Sequence, residues 1–331
     1  MKLERTFIDY TTEAQWLALR DADLTSTEVS ALFGCSPYAT AYEMFHRKNG
    51  QLVVEFESND RVRWGNRLET AIAFGIAEDL GLIVEPFKVY GRIEKLRMGS
   101  SFDFKIVGLA PGFTGDDTYR DLFRKHGPGI MEVKNVDGLQ FRRTWISEGE
   151  VQEAPAHIEL QVQHQLEVAD LEWTVIAPLI GGNTPMPFAR LRDREIGGAI
   201  REKVKEFWSW IKKQTPPAPD YAADGEVIAQ LLGEDNGESI DMSDNARLAE
   251  VRLKLTEAGD AEKKAKETKD ACKAEILHIV GNNRKILVQG GYINANTVKD
   301  SPGTLIEPQH IGTRIGGRKG YRNVRFYPSS K

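Results

Sequence analysis

Cysteine is nearly absent: two in 331 residues, Cys35 and Cys272, far apart in the chain. That excludes a four-cysteine metal or iron–sulfur cluster and reads as reduced thiols in a cytoplasmic protein. No apolar run approaches the ~20 residues a membrane span requires, and the polar start Met1-Lys2-Leu3-Glu4-Arg5 does not read as a signal peptide. A cytoplasmic protein with no membrane partner is expected. The histidines (His46, His126, His157, His164, His278 and His310) are scattered without metal-ligand spacing, so His164 reads as structural. No internal repeat is visible, and Gly312–Gly320 lacks the pattern of a phosphate-binding nucleotide loop.

Net positive charge is also missing, since the chain carries −5. The deficit is uneven: residues 1–215 carry −5, residues 216–279 carry −7 and residues 280–331 carry +7. Steering of a polyanion depends on where charge sits, so the whole-chain value does not exclude a local phosphate-binding surface.

What the chain does have is Glu132-Val133-Lys134, inside the strand-like run Gly129-Ile130-Met131-Glu132-Val133-Lys134-Asn135-Val136. Side chains alternate across a strand, so Glu132 and Lys134 share a face while Met131 and Val133 point into a core. A carboxylate can hold a divalent cation and a neighbouring lysine can orient and deprotonate a water, which suits phosphodiester hydrolysis. A half-exposed strand with a same-face ion pair has the same pattern, so the neighbouring segments decide. Upstream, residues 96–108 read as strand, turn and strand with Asp103 at the bend, either a second acidic ligand or a turn initiator. Trp64-Gly65-Asn66-Arg67-Leu68-Glu69 opens an amphipathic helix ending at Gly81, where Glu69 is a further carboxylate or a solvated one. Downstream, residues 155–166 form a helix with Gln161 and Gln165 on one stripe.

Taken in order, Leu24-Thr25-Ser26-Thr27-Glu28-Val29, Ser36-Pro37-Tyr38-Ala39-Thr40, Gly65 to Glu69, Ser101-Phe102-Asp103, Glu132-Val133-Lys134 and Gln161-Val162-Gln163-His164-Gln165 resemble the YqaJ-type viral recombinases. These are relatives of lambda exonuclease within the PD-(D/E)XK nuclease superfamily, and the resemblance covers residues 12–213. It implies an α/β fold of that nuclease type, with a mixed central sheet flanked by helices. It further implies a Mg²⁺-dependent exonuclease (Mn²⁺ a substitute) acting on duplex DNA ends, 5′ to 3′. A ring-shaped trimer partnered by a single-strand annealing protein is also implied. By motif, Asp103 and Glu132 hold metal with the Val133 carbonyl, Glu69 adds a carboxylate, Lys134 orients the attacking water and Gln161 supports the site. Arg20 and Ser26 contact a terminal phosphate. The two cysteines set the chain apart from the iron–sulfur branches of the superfamily. An endonuclease on the same fold and a non-catalytic DNA-binding protein are the competing readings.

One departure is the gap of 29 positions between Asp103 and Glu132, far longer than the family's usual spacing. Residues 110–128 read as a glycine-rich loop with a short helical piece at Tyr119–Arg124. Asp116 or Asp117 would compete there for the ligand role, but Asp103 is preferred for its strand-end position. The remaining organisation reads as a nuclease domain over 1–215, a linker and long charged helix over 216–281, and a small β-rich basic segment over 282–331. Pro216-Pro217-Ala218-Pro219 marks the linker. Within 244–280, apolar or small residues at 248, 251, 255, 258, 265, 272, 276 and 279, interrupted by Glu262 and Lys269, read as one long helix with either a weak coiled-coil seam or, given its charged middle, the character of a solvated arm. In the last segment Arg314, Arg318, Lys319, Arg322 and Arg325 alternate with Tyr321, Phe326 and Tyr327, a composition suited to DNA contact or to a solubilising tail.

Overall fold

A computed structural model describes residues 3–52, 60–147, 150–151, 154–234 and 236–300, and the main chain of short strands between 304 and 328. The chain divides into two units, Met1–Asp235 and Asn236–Lys331.

The first unit opens with β1 (Thr6–Ile8), α1 (Glu13–Ala22), β2 (Leu24–Thr25), α2 (Val29–Leu32) and α3 (Ala41–Lys48). Side chains set the helix starts: the Thr12 hydroxyl accepts from the Gln15 N–H, and Thr40 accepts from Glu43. Glu28 reaches back to the Thr25 N–H at 2.8 Å, the carboxylate half of a capping box. Next come α4 (Asp60–Asp79), β3 (Leu82–Pro86), β4 (Tyr90–Ile93), β5 (Met98–Ser101), β6 (Phe104–Leu109), α5 (Thr118–His126) and β7 (Gly129–Val136). α4 starts one turn before the expected Trp64 and ends where Gly81 adopts a φ of 64°. The unit finishes with α6 (Gly138–Thr144), β8 (Ile146–Ser147), β9 (Glu150–Val151), α7 (Ala156–Ala169), β10 (Trp173–Ile180), β11 (Thr184–Pro185), β12 (Phe188–Leu191), α8 (Arg194–Lys213) and α9 (Gly225–Leu232).

The strands form a mixed central sheet in the order β11-β10-β7-β6-β3, with β12 also pairing with β10. β7 and β10 run parallel, Glu132 beside Ile176 and Lys134 beside Pro178. A second sheet, β1-β4-β5-β2, takes four of the five strands that precede Asp103, while β3 joins the central sheet beside β6. The expected strand–turn–strand around Asp103 is therefore a crossing between two sheets: β5 belongs to one and β6 to the other.

Helices cover both faces of the central sheet. Ile72, Ala73, Ile76 and Ala77 of α4 pack on Met131, Val133, Val175 and Ala177. On the opposite face Ile158 and Val162 of α7 pack on Val136 and Ile176. Each such fully buried branched side chain contributes about 1.5–3 kcal/mol. Gly129 at the start of β7 is required by packing, because a Cβ there would stand 2.6 Å from the Trp173 ring. The alternation forced by these cores turns Glu132 and Lys134 towards α7.

The first unit continues past the proline-rich segment. Asp224 is buried and accepts from the Thr40 hydroxyl at 2.6 Å, which ties the start of α9 to the helical layer. In the second unit, α10 (Ala246–Val280) is capped by Asn245 and leads to β13 (Lys285–Val288) and β14 (Gly291–Asn294), a hairpin turned at Gly290. β15 (Thr297–Val298), β16 (Thr304–Leu305), β17 (Arg314–Ile315), β18 (Tyr321–Arg322) and β19 (Arg325–Pro328) follow, and β19 joins the hairpin as a third strand. Among the described residues no helix is long and apolar enough to cross a membrane.

Candidate active site

The strand period places Glu132 and Lys134 side by side on the α7 face of β7, and α7 answers with amides one turn apart. Glu132 is 3% exposed. Lys134 Nζ donates to Glu132 Oε1 at 2.5 Å and to Gln161 Oε1 at 3.2 Å. Gln161 Nε2 donates to the same Glu132 oxygen, and Gln165 Nε2 donates to the other at 2.7 Å. Both carboxylate oxygens are thus held, one by an ammonium and an amide, the other by an amide alone. Gln161 is where the motif puts it. Gln165, to which the motif assigns no role, holds the second Glu132 oxygen, and its i+4 spacing from Gln161 is the available signal.

Asp103 enters from the crossing between the sheets. The β6–β7 ladder has its last pair at Phe104 and Met131, and Asp103 Oδ2 accepts from the next outward donor of β7, the Val133 N–H, at 2.8 Å. The Val133 side chain is in the core, so only its main chain meets the site.

The electrostatics are those of crowded carboxylates. Burial, then the negative charges of Glu132 and Glu69, push Asp103 well above the usual carboxylate range, against the opposing pull of Lys134. Burial and Glu132 likewise raise Glu69, while Lys134 and Lys88 pull it down. Burial disfavours charge on Lys134, yet Glu132 and Asp103 hold its pKa above the ordinary lysine value, so it is an ammonium at neutral pH. Among the described residues no three acidic, histidine or cysteine side chains form a ready metal cage. The donor set nonetheless fits a hard divalent cation: one or two carboxylates completed by substrate oxygens is the usual Mg²⁺ arrangement. The buried Gln165 Oε1, which has no hydrogen-bond partner, is a spare acceptor beside Glu132.

Arg20 and Ser26 part company. The Ser26 hydroxyl is buried, 2% exposed, and accepts from the Ser100 hydroxyl at 3.0 Å, so the expected phosphate contact does not face outward. Thr27 does: it is exposed, and Arg20 Nη2 donates to its Oγ1 at 3.0 Å, with the guanidinium 4.7 Å over the Trp16 ring. Half-buried Tyr10 feels the charges of Arg20, Glu69 and Asp103 together, after burial as the main cause of its raised pKa. Tyr10 is thus within electrostatic reach of Arg20 and of the two carboxylates Glu69 and Asp103. Tyr38 and His157, in edge contact at 6.0 Å, are both within electrostatic reach of Lys134.

The competing aspartates are occupied elsewhere. Asp116 is exposed and accepts from the Thr118 N–H at 2.9 Å and hydroxyl at 2.7 Å, forming the turn into α5. Asp117 pairs with Arg120 and Arg124. His164 is fully buried, which drives its pKa down to about 3 and leaves it neutral. Of the basic tail, Arg314, Arg322 and Arg325 lie in strands whose main chain alone is described, and Arg318 and Lys319 lie outside the described residues.

A relative, the uncharacterized protein YqaJ of Bacillus subtilis (strain 168), is 23% identical over 269 residues, covering 79% of this chain and 77% of that protein. An alkaline exonuclease from Laribacter hongkongensis superposes with a TM-score of 0.43 at 15% identity, over 61% of this chain and 93% of that one. The same exonuclease in complex with dAMP gives 0.41 at 16% identity, over 61% and 93% respectively. The family model of the YqaJ-like viral recombinase domain matches residues 15–172, which span Arg20, Glu69, Asp103, the Glu132-Val133-Lys134 strand and Gln161. Residues 15–172 of this chain are thus similar to the YqaJ-like viral recombinase domain.

Proposed function

We propose that this chain is a metal-dependent deoxyribonuclease that degrades duplex DNA from its ends, 5′ to 3′, leaving 3′ single-stranded overhangs for recombination. The observation that supports this best is the meeting of Asp103, Glu132 and Lys134 in one buried cluster, inside a domain similar to that of a recombinase family. Asp103, Glu132 and the Val133 carbonyl, with Glu69 alongside, would hold Mg²⁺ or Mn²⁺, which supplies Lewis-acid neutralisation of charge on the scissile phosphate.

The rest falls to the chain's own groups. Gln161 and Gln165 fix Glu132 from both oxygens without cancelling its charge. Lys134 remains an ammonium in this environment. It orients the attacking water and stabilises the negative charge that develops. Arg20, braced by Thr27, presents a guanidinium fork suited to a terminal 5′-phosphate. The basic residues Arg314, Arg318, Lys319, Arg322 and Arg325 supply further backbone contacts. The enzyme acts as a homo-oligomer, a trimer by family resemblance, in the cytoplasm of a bacterial or phage-infected cell. It hands its overhang to a single-strand annealing protein.

The test is a linear duplex labelled at its 5′ or its 3′ ends, incubated with Mg²⁺ beside a closed circular control. Release of the 5′ label with the circle intact is expected. Cutting of the circle, or loss of the 3′ label first, would overturn the proposal.

A further inference from the structure

α10 is 35 residues long, about 52 Å at 1.5 Å per residue, and the only residue buried along it is Val280 at its end. Helices usually owe their stability to a packed face, and this one has none over its length. Its own stabilisation comes from short-range ion pairs such as Lys254–Glu250 and Lys273–Asp270.

The seam along α10 keeps strict heptad register without a stutter. Taking Leu248 as position a, the a positions are 248, 255, 262, 269 and 276, and the d positions are 251, 258, 265, 272 and 279. Its apolar ends face outward: Leu255 is 74% exposed and Ile279 is 73% exposed. Only two charged residues occupy the seam, Glu262 and Lys269, both at a.

Those two charges decide the orientation of a partner. In a parallel pair, a meets a, so Glu262 would face Glu262 and Lys269 would face Lys269, each like on like. In an antiparallel pair, a meets d. A twofold axis between Lys263 and Lys264 then sets Leu248 against the partner's Ile279, Val251 against the partner's Ile276 and Leu255 against the partner's Cys272. The partner's Lys269 falls opposite Ala258, one layer from Glu262, so the seam charges become neighbours of opposite sign. At the flanks, Lys254 meets the partner's Glu275 and Arg252 meets the partner's Lys273, one attraction and one repulsion, which leaves the choice to the seam.

We infer that α10 is a self-association element that pairs two copies of this chain as an antiparallel coiled coil, with an isologous, self-complementary interface. This does not depend on the nuclease reading; in a trimeric enzyme the same pairing would join two trimers, copy to copy, and its loss would still halve the mass.

Cysteine trapping in the full chain tests it. With Cys35→Ser as background, Leu255→Cys adds a thiol facing the partner's Cys272. The two positions lie 17 residues apart on one helix, about 25 Å, so they cannot bridge within a chain. After mild oxidation the Cys35→Ser, Leu255→Cys variant should run as a covalent dimer. Cys35→Ser alone, and Cys35→Ser, Leu255→Cys, Cys272→Ser, should not. A crosslink in either of those two controls would show a parallel pair and overturn the orientation, and no crosslink in any variant would overturn the pairing. Independently, Leu248→Glu with Leu255→Glu should halve the mass measured by light scattering. Both residues are exposed in the single chain, so its fold is expected to survive, and an unchanged mass would overturn the proposal.

Discussion

Replacing Asp103 by asparagine should abolish hydrolysis and at the same time stabilise the metal-free protein. Asparagine has the shape of the protonated carboxyl, keeps an oxygen for the Val133 N–H and removes the charge that burial, Glu132 and Glu69 oppose. Because the folded-state pKa of Asp103 is raised, its contribution to stability is complete below the ordinary aspartate range. It is lost as pH rises through the raised value, the unfolded chain giving up its proton first. The wild type at neutral pH therefore carries a penalty that the variant lacks. Relieving a strained active-site group gains about 0.5–2 kcal/mol, and a domain of this size shifts by about 2–4 °C per kcal/mol, so Tm should rise by roughly 1–8 °C. The assay is thermal unfolding of both proteins in a chelator across a pH series. The difference should be near zero under acidic conditions and grow towards neutrality. Adding Mg²⁺ should reverse the order, since ligand at 100 times its Kd stabilises by about 2.7 kcal/mol and the variant has lost a ligand. A variant that melts at or below wild type at neutral pH without metal, or a difference that shrinks as pH rises, would refute the account of carboxylate crowding.

Glu132→Ala and Lys134→Ala should each lower single-turnover cleavage by at least about 100-fold, because preorganised charge at the reacting centre is worth that much, while gel-shift affinity stays near wild type. Activity of Lys134→Ala within a few-fold of wild type would remove it from the mechanism. The double change Asp116→Asn, Asp117→Asn should keep most activity, since both side chains serve the start of α5; a dead enzyme would move the metal ligand into the loop. Arg20→Ala should erase a preference for 5′-phosphorylated over 5′-hydroxyl ends in a degradation assay, Thr27→Ala should weaken it and Ser26→Ala should spare it. Ending the chain near Gly281 should weaken DNA binding and flatten its salt dependence, by about 0.9 in the log–log slope for each phosphate that the tail neutralises in the full chain. An unchanged slope would make the basic tail a spectator.

The strand of the candidate site was legible because its pattern rides on a local period. Once Met131 and Val133 are assigned to a core, Glu132 and Lys134 can only face the other way. The long helices were legible for the same reason, through caps and apolar spacing. Ser26 and Thr27 were not distinguishable, because which residue of a tight turn faces inward depends on a partner 74 positions away, the Ser100 hydroxyl. The second sheet was hidden likewise: β1 and β2 have three and two residues, too short for a period, and pair with β4 and β5 far along the chain. α9 lay in a stretch read as linker, and its tie to the core runs through Asp224 and Thr40, 184 positions apart. Gln165 shows its role only through the second oxygen of Glu132, an atom the sequence cannot place.

The Asp103 carboxylate stands where a β6 carbonyl would otherwise extend the ladder on β7, so one side chain is both acceptor for the sheet and a charge in the candidate site. Mutational surveys will therefore mislabel this position. Alanine there strips the Val133 N–H of its acceptor as well as removing the charge, so an abundance screen would score Asp103 as a folding residue and an activity screen as a catalytic one. Asparagine alone divides the two scores. The same divergence between alanine and the isosteric amide, looked for across a whole survey, would pick out other side chains in this protein that substitute for backbone.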